Sequence, residues 1–268
     1  PGESTLPVVE LRHAWLAFEE KQVLRDVCFR LGAGETLILL GVTASGKSVL
    51  LKLILGLLKP DAGQVLIEGQ DLGPLSEKQL YPVRRHMGIV FQEGALFDSL
   101  SVHENVAYRL REEGWKDEAE IERRVREVLR FVEMEPALEK MPPELSGGMR
   151  RRVALARAII SQPSIMLYDS PTAGLDPVTA HTINVLIAKL RDVQGVTSVV
   201  VTQRLADAYL LANFTFSAEQ QKLIPTPTDG GRRAATRFLV LRDGATYFWG
   251  STEELVASPD PYLRKFLA

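Results

Sequence analysis

Apolar residues along this chain recur in two rhythms. Thr36-Leu37-Ile38-Leu39-Leu40 is a short, unbroken apolar run of the kind a strand covered on both faces requires. Three later runs share its character: residues 86–91 (His86 to Phe91), 164–169 (Ser164 to Asp169) and 196–202 (Val196 to Thr202). Their composition predicts buried strands of a parallel sheet. Before them, Val8-Val9-Glu10-Leu11-Arg12 and the stretch from Val23 to Leu31 flank a polar turn at Glu19-Glu20-Lys21, which predicts an antiparallel lead-in. A turn over 59–63 leads into a further strand over 64–69, ended by Gly69.

The second rhythm is helical. Residues 49–55 predict a packed helix, and Ile121, Val125, Val128 and Leu129 fall on one helix face among arginines and glutamates. Residues 94–160 lack strong strand runs and read as a helical subdomain inserted between strands. The expected division is therefore 7–93, 94–160 and 161–268, an α/β protein with a helical insert. Arginines 123–130 and the run Arg150-Arg151-Arg152 read as solvated faces. Ser251, followed by Glu253 and Glu254, predicts a capped helix start near the C-terminus.

Composition changes this picture little. The chain has 268 residues, 46% hydrophobic and 25% charged, with a net charge of −2, which is ordinary for a soluble globular protein and argues against a nucleic-acid surface. Its one cysteine, Cys28, excludes an intrachain disulfide and reads as a small, half-buried filler. No apolar run reaches the roughly 18 residues of a membrane span, and no signal peptide is recognisable. The start at Pro1-Gly2, without methionine, predicts a processed or trimmed terminus.

Chemistry concentrates at Gly41-Val42-Thr43-Ala44-Ser45-Gly46-Lys47-Ser48, with Val49 following. This spacing, placed between a buried strand and a helix, is that of a phosphate-cradling loop. Glycines let the backbone curl so that several N–H groups face one anion, and the helix N-terminus adds partial positive charge. Lys47 would reach the outer phosphates and the Ser48 hydroxyl would hold Mg2+. Gly41, Gln92, Asp169 and Gln203 each follow a buried run, and ligands of open α/β sheets bind beyond the carboxyl ends of the strands. Asp169 is therefore expected to hold Mg2+ opposite Ser48. Ser146-Gly147-Gly148, ahead of a strong helix, reads as an N-cap or a second anion site. Phe18 stands at the lead-in turn, where an aromatic ring either packs or stacks on a purine.

The order of these segments resembles the ATP-binding-cassette (ABC) transporter ATPases over almost the whole chain. The carriers are residues 41–48, Gln92, Leu145-Ser146-Gly147-Gly148-Met149, Tyr168-Asp169-Ser170-Pro171-Thr172 and Ala173-Gly174-Leu175-Asp176-Pro177. Residues 91–108, from Phe91 to Tyr108, together with Met149, look most like the ATPases of bacterial Mla/Mce-type lipid transporters; glycine-betaine and methionine importers share the methionine. The resemblance implies a RecA-like P-loop NTPase core with an N-terminal antiparallel β layer and a helical insert, using ATP and Mg2+. It implies that Phe18 stacks on adenine and that Gln92 senses Mg2+ and the permease. It also implies that Ser146, Gly147 and Gly148 bind the γ-phosphate held by a second subunit, while Asp176 couples the two sites. The implied partners are a second ABC ATPase subunit in a head-to-tail dimer, a multispan membrane permease and an MCE substrate-binding component. The implied place is the cytoplasmic face of the inner membrane. A soluble ABC protein acting on DNA or ribosomes is disfavoured, because the chain has one phosphate loop and no heptad run.

Two positions depart from the family pattern. Ser170 stands where the family usually has a glutamate that polarises the attacking water, and Gln203 where it has a switch histidine. Serine cannot act as a general base at neutral pH, so ATP binding is predicted more firmly than hydrolysis. Three accounts fit: a degenerate subunit beside a catalytic partner, a slow homodimer, or positions altered to trap a closed dimer. The family-like strand start at 213–216 reads as continued by 238–241, with a hairpin turn at 242–245. The Pro-, Gly- and Thr-rich residues between them read as a flexible surface insertion, or as a contact with the partner or permease.

Overall fold

The computed structural model describes residues 6–226 and 235–264. The antiparallel lead-in is a long hairpin of β1 (Val9–Phe18) and β2 (Lys21–Leu31), closed by Glu19 at φ 53°. β3 (Thr36–Gly41) carries the first buried run into the phosphate loop and α1 (Lys47–Ile54). β4 (Ala62–Ile67) and the short β5 (Gln70–Asp71) pair antiparallel beyond β1. α2 (Glu77–Arg85), held at its start by a Ser76–Gln79 capping box, leads to β6 (Met87–Val90).

Three helices fill the stretch predicted to be helical: α3 (Val102–Glu112), α4 (Glu118–Phe131) and α5 (Gly147–Ile159). Asp117 caps α4 through the amides of Ala119 and Glu120, and Ile121, Val125 and Leu129 are fully buried on its inner face. Arg123, Arg126 and Arg130 point outward into ion pairs with Glu120, Glu122 and Glu135, so the solvated-face reading holds for these three. The chain continues through β7 (Ile165–Asp169), α6 (Pro177–Gln194), β8 (Thr197–Val201) and α7 (Leu205–Asn213). It closes with β9 (Phe214–Ser217), β10 (Lys222–Pro225), β11 (Thr236–Arg242), β12 (Ala245–Ser251), α8 (Thr252–Ala257) and α9 (Pro261–Arg264). Ser251 caps α8 with Glu254 completing the box, as its sequence predicts.

Among the described residues the strands form one ten-stranded sheet in the order β5-β4-β1-β2-β12-β11-β3-β8-β7-β6 and a separate pair, β10-β9. β11, β3, β8, β7 and β6 run parallel. Their unbroken apolar runs follow from coverage on both faces, because side chains alternate along a strand. Ile38, Leu40, Met166, Tyr168, Val200 and Val240 pack with the helices α3 to α7. Leu37, Leu39, Ile165, Leu167, Val199 and Val201 pack with α1 and the β1–β2 hairpin. Each such buried Leu, Ile or Val contributes roughly 1.5–3 kcal/mol of transfer free energy.

Two expectations are corrected. Residues 214–217 do not begin the strand continued at 238–241. They turn back on themselves, and β9 pairs antiparallel with β10, with Phe214 opposite Pro225 and Phe216 opposite Leu223. The reason lies in α6, whose last turns hold this hairpin: Arg191 donates to the Phe214 carbonyl at 2.7 Å and Asp192 accepts the Phe216 amide at 2.7 Å. Phe216 is buried there, with the Lys189 ammonium 5.4 Å from its ring centre. The first part of the insertion thus forms this hairpin, and its Pro- and Gly-rich remainder, 227–234, lies outside the described residues. The second correction concerns Arg151, which is buried rather than solvated; its role appears with the site.

Candidate functional site

The parallel register gathers the predicted residues at one sheet edge. Leu39 stands opposite Val201, Val201 opposite Asp169, and Tyr168 opposite Val90. Gly41, Gln203, Asp169 and Gln92 therefore all leave neighbouring strands at the same carboxyl end, where an α/β sheet presents its crevice. Gln92 and Gln203 are exposed, and Asp169 and Ser170 are half-buried.

The loop between β3 and α1 is shaped by its glycines. Gly41 has φ 155°, and a Cβ there would stand 2.5 Å from Ser45 Oγ and 2.6 Å from the Leu241 carbonyl. Gly46, at φ 99°, would meet Leu24 Cδ2 at 2.7 Å. The second glycine thus lets the β2 strand lie directly against the loop, and the same hairpin ends at Phe18, 46% exposed. Ala44 also adopts the left-handed region, and the Ser45 amide donates to Val42 O at 3.2 Å. Val42, Thr43, Ala44 and Ser48 are exposed, and Val49 is half-buried. Lys47 is only 6% exposed, and its ammonium donates to the carbonyls of Gly41 at 2.9 Å and Val42 at 2.7 Å and to Ser45 Oγ at 3.3 Å. Burial pushes the lysine pKa below its ordinary value, and the Asp169 carboxylate opposes part of that shift. A cradle that excludes side chains, a buried ammonium, a hydroxyl on the first turn of α1 and a facing carboxylate suit a nucleotide triphosphate with Mg2+.

The remaining predicted residues form a second group. Ser146 caps α5 by accepting the Met149 amide at 3.3 Å and is exposed. A Cβ on Gly148 would fall 2.3 Å from Thr179 Cγ2, and one on Gly147 would stand 3.5 Å from Leu175, so both glycines lie against the start of α6. Asp176 caps that helix, accepting the Val178 and Thr179 amides at 3.0 Å and the Thr179 hydroxyl at 2.5 Å. The Thr179 hydroxyl, followed by its amide, holds the Asp176 carboxyl below the usual carboxylate range.

Between the groups lie residues that sequence reading overlooked. Arg151 donates to the carbonyls of Pro171 at 3.2 Å and Ala173 at 3.3 Å, tying α5 to the loop after β7. Arg157 donates to Ala95 O at 2.9 Å and Gly94 O at 3.3 Å, fixing the segment after Gln92. Asp207 is buried and accepts from Thr172 Oγ1, from Asn184 Nδ2 at 2.7 Å and from Thr202 Oγ1 at 3.1 Å. It joins the loops that carry Ser170 and Gln203. One signal was available: Arg151 shares a helical face with Ala154, Leu155 and Ala158, and Asp207 with Ala208 and Leu211, so both fall on apolar stripes.

Comparisons with known proteins agree with this geometry. A family model described as ABC transporter matches residues 24–173. The chain is 35% identical to the probable ribonucleotide transport ATP-binding protein mkl of Mycobacterium leprae, over 99% of this chain and 71% of the relative. It is 32% identical to MlaF, the intermembrane phospholipid transport system ATP-binding protein of Escherichia coli, over 99% of this chain and 90% of the relative. Among solved structures, the dimeric post-hydrolysis state of the ATP-binding cassette MJ0796 bound to ADP and Pi superposes with a TM-score of 0.76 at 30% identity, covering 91% of this chain and 98% of that one. A phosphate loop at the carboxyl ends of the parallel strands, a family match across residues 24–173 and relatives aligned over nearly the whole sequence place this chain in the ABC transporter family of ATP-binding proteins.

Proposed function

We propose that the chain is the ATP-binding subunit of a transporter that moves lipid across or between membranes, working as a head-to-tail dimer on a multispan permease with an MCE component. The convergence of Lys47, Ser48, Gln92 and Asp169 at one sheet edge carries the nucleotide part of this reading. Lys47 and the loop over 41–49 would hold the phosphates, Phe18 the adenine, and Ser48, Asp169 and Gln92 the Mg2+. Bound Mg2+ would offset phosphate charge. Ser146, Gly147 and Gly148 would meet the nucleotide of a second subunit, and Asp176 would couple the two sites. The exposure of Ser146 beside the start of α6 supports that role. The arginines at 151 and 204 give a physical link: Arg204 donates to Thr172 O and Leu175 O, both at 3.3 Å, and Arg151 of α5 to Pro171 O and Ala173 O in the same loop, so a shift at the nucleotide site would reach α5.

A groove of about 510 Å³ beside Gln92 supports docking on a permease. It is lined by Tyr81, Arg84, Phe91, Phe97, Tyr108 and Arg157, several of them exposed aromatics. Among the described residues no helix is long and apolar enough to cross a membrane. Peripheral attachment at the cytoplasmic face of the inner membrane rests on the likeness to ATP-binding subunits of membrane transporters. Phospholipid as cargo rests on the likeness to MlaF. The name of the mycobacterial relative points to ribonucleotides instead, and the two are separable. The chain with its co-purifying permease, placed in vesicles, should show ATP-dependent transfer of fluorescent phospholipid and no uptake of labelled ribonucleotide. The reverse result would overturn the lipid reading. Ser170 and Gln203 favour a second reading, an ATP-switched dimer with little turnover.

Replacing Phe18 by alanine should weaken ATP affinity about 10–100-fold, the range of one base–aromatic stack. Equilibrium binding of a fluorescent ATP analogue measures it. An unchanged affinity would return Phe18 to plain surface packing.

A further inference from the structure

A second cluster of ligand-type side chains lies on the outer face of the β1–β2 hairpin, away from the residues assigned to nucleotide. Ala14 of β1 pairs with Val27 of β2, and both are fully buried. Their neighbours His13, Asp26 and Cys28 therefore project from the opposite face. His13 Nδ1 stands 2.7 Å from Asp26 Oδ1 and 3.6 Å from Cys28 Sγ, and the sulfur is 4.0 Å from Asp26 Oδ1. We propose that His13, Asp26 and Cys28 are three ligands of a surface site for a borderline-soft divalent cation, with Zn2+ as the best fit and water as the fourth ligand.

The dimensions support this assignment. Zn–N and Zn–O bonds of about 2.0–2.2 Å and a Zn–S bond of about 2.3 Å put tetrahedral ligand atoms roughly 3.3–3.6 Å apart. The nitrogen–sulfur separation already matches, and the sulfur–oxygen separation of 4.0 Å must close by roughly 0.4 Å. The shorter nitrogen–oxygen separation is that of a hydrogen bond, and replacing its proton by a cation would open it by roughly 0.6 Å. Side-chain exposure of 76% at His13 and 54% at Asp26 leaves room for that movement. An ordinary surface ion pair would account for His13 and Asp26 alone. The sulfur adds more: it accepts the His13 backbone N–H at 3.1 Å, the outer hydrogen bond that orients a metal-bound thiolate. His13 and Asp26 both hold left-handed backbone, at φ 48° and 51°, where the register of the two strands shifts on either side of the Ala14–Val27 pair. Thiolate with imidazole selects Zn2+ over the hard Mg2+ that accompanies ATP, so the site is chemically separate from the nucleotide edge.

Co2+ titration of the full, nucleotide-free chain under a thiol-free reductant tests the proposal. Cys28 is the only cysteine, so a near-ultraviolet thiolate-to-Co2+ charge-transfer band reports on this position alone. The expected result is that band with tetrahedral visible absorption, at one equivalent, displaced by Zn2+ and unaffected by excess Mg2+. Cys28→Ser should abolish the band and lower Zn2+ affinity by about 100-fold or more, and His13→Gln and Asp26→Asn by about 10-fold or more each. Circular dichroism checks that each variant folds. Absence of the band at saturating Co2+ in the unmodified chain overturns the proposal whatever the variants do. A band that survives both His13→Gln and Asp26→Asn also overturns it, because the thiol would then bind alone.

Discussion

Placing glutamate at 170 and histidine at 203 together should raise steady-state ATP turnover roughly 10²–10⁴-fold, the usual contribution of a positioned general base. The backbone at 170 is held independently of its side chain. Its amide donates to Val201 O at 3.0 Å across the sheet, and its carbonyl accepts the Ala173 amide at 3.1 Å. The residue lies in the left-handed region at φ 50°, where this chain already places Glu19, Glu68 and Glu133. A glutamate should therefore enter without moving the loop, with its carboxylate projecting from the edge that carries Asp169. Gln203 is exposed and its neighbours are set by Thr202, whose hydroxyl accepts the Arg204 amide at 3.0 Å, so histidine is equally admissible. Ser170→Glu alone should give most of the gain, because it supplies the base, while Gln203→His alone should give little. ATP affinity should change far less than turnover, since neither group is needed for binding. Coupled-enzyme measurement of phosphate release on the four proteins decides it. Rapid turnover by the unaltered chain would show that another group serves as base and that Ser170 is not disabling.

The second large effect is expected at Asp207, with a stability loss of about 3 kcal/mol for Asp207→Ala. Its carboxylate accepts from Thr172, Asn184 and Thr202 in a buried setting. Removing it strands those donors at roughly 1–3 kcal/mol for each that cannot find a new partner, and the two hydroxyls can partly re-aim. For a chain of this size that corresponds to a melting temperature lower by roughly 6–12 °C. Urea unfolding measures the free energy directly. Because Thr172 and Thr202 belong to the loops after β7 and β8, the loss should also loosen the positions of Ser170 and Gln203. The Ser170→Glu, Gln203→His protein should then lose part of its gained turnover when Asp207→Ala is added, even at temperatures where it remains folded. Equal turnover with and without Asp207 would reduce that residue to a purely structural role.

Much of this molecule was legible in the chain itself. Unbroken apolar runs gave the parallel strands because coverage on both faces removes any polar alternation. The phosphate loop announced itself because only glycine at 41 and 46 permits the backbone and side-chain approaches seen there. The shared placement of Gly41, Gln92, Asp169 and Gln203 after such runs fixed which segments could meet, since strands in one parallel sheet end on one side. The departures at Ser170 and Gln203 were likewise visible, being differences of functional group rather than of geometry.

Other features were decided only by tertiary packing. Arg151 and Asp207 look like surface residues by type although both fall on apolar helical stripes, and only the closure of α5 and α7 on the site loops gives them their partners. The hairpin of β9 and β10 depended on Arg191 and Asp192 of α6, whose hold on Phe214 and Phe216 outweighs continuation into the main sheet. His13, Asp26 and Cys28 are thirteen to fifteen residues apart across the hairpin and carry no motif spacing. Strand register and two bulges bring them together. Periodicity records which face of its own element a residue occupies; which distant residue it meets there is set by register and packing, and those exist only in the folded chain.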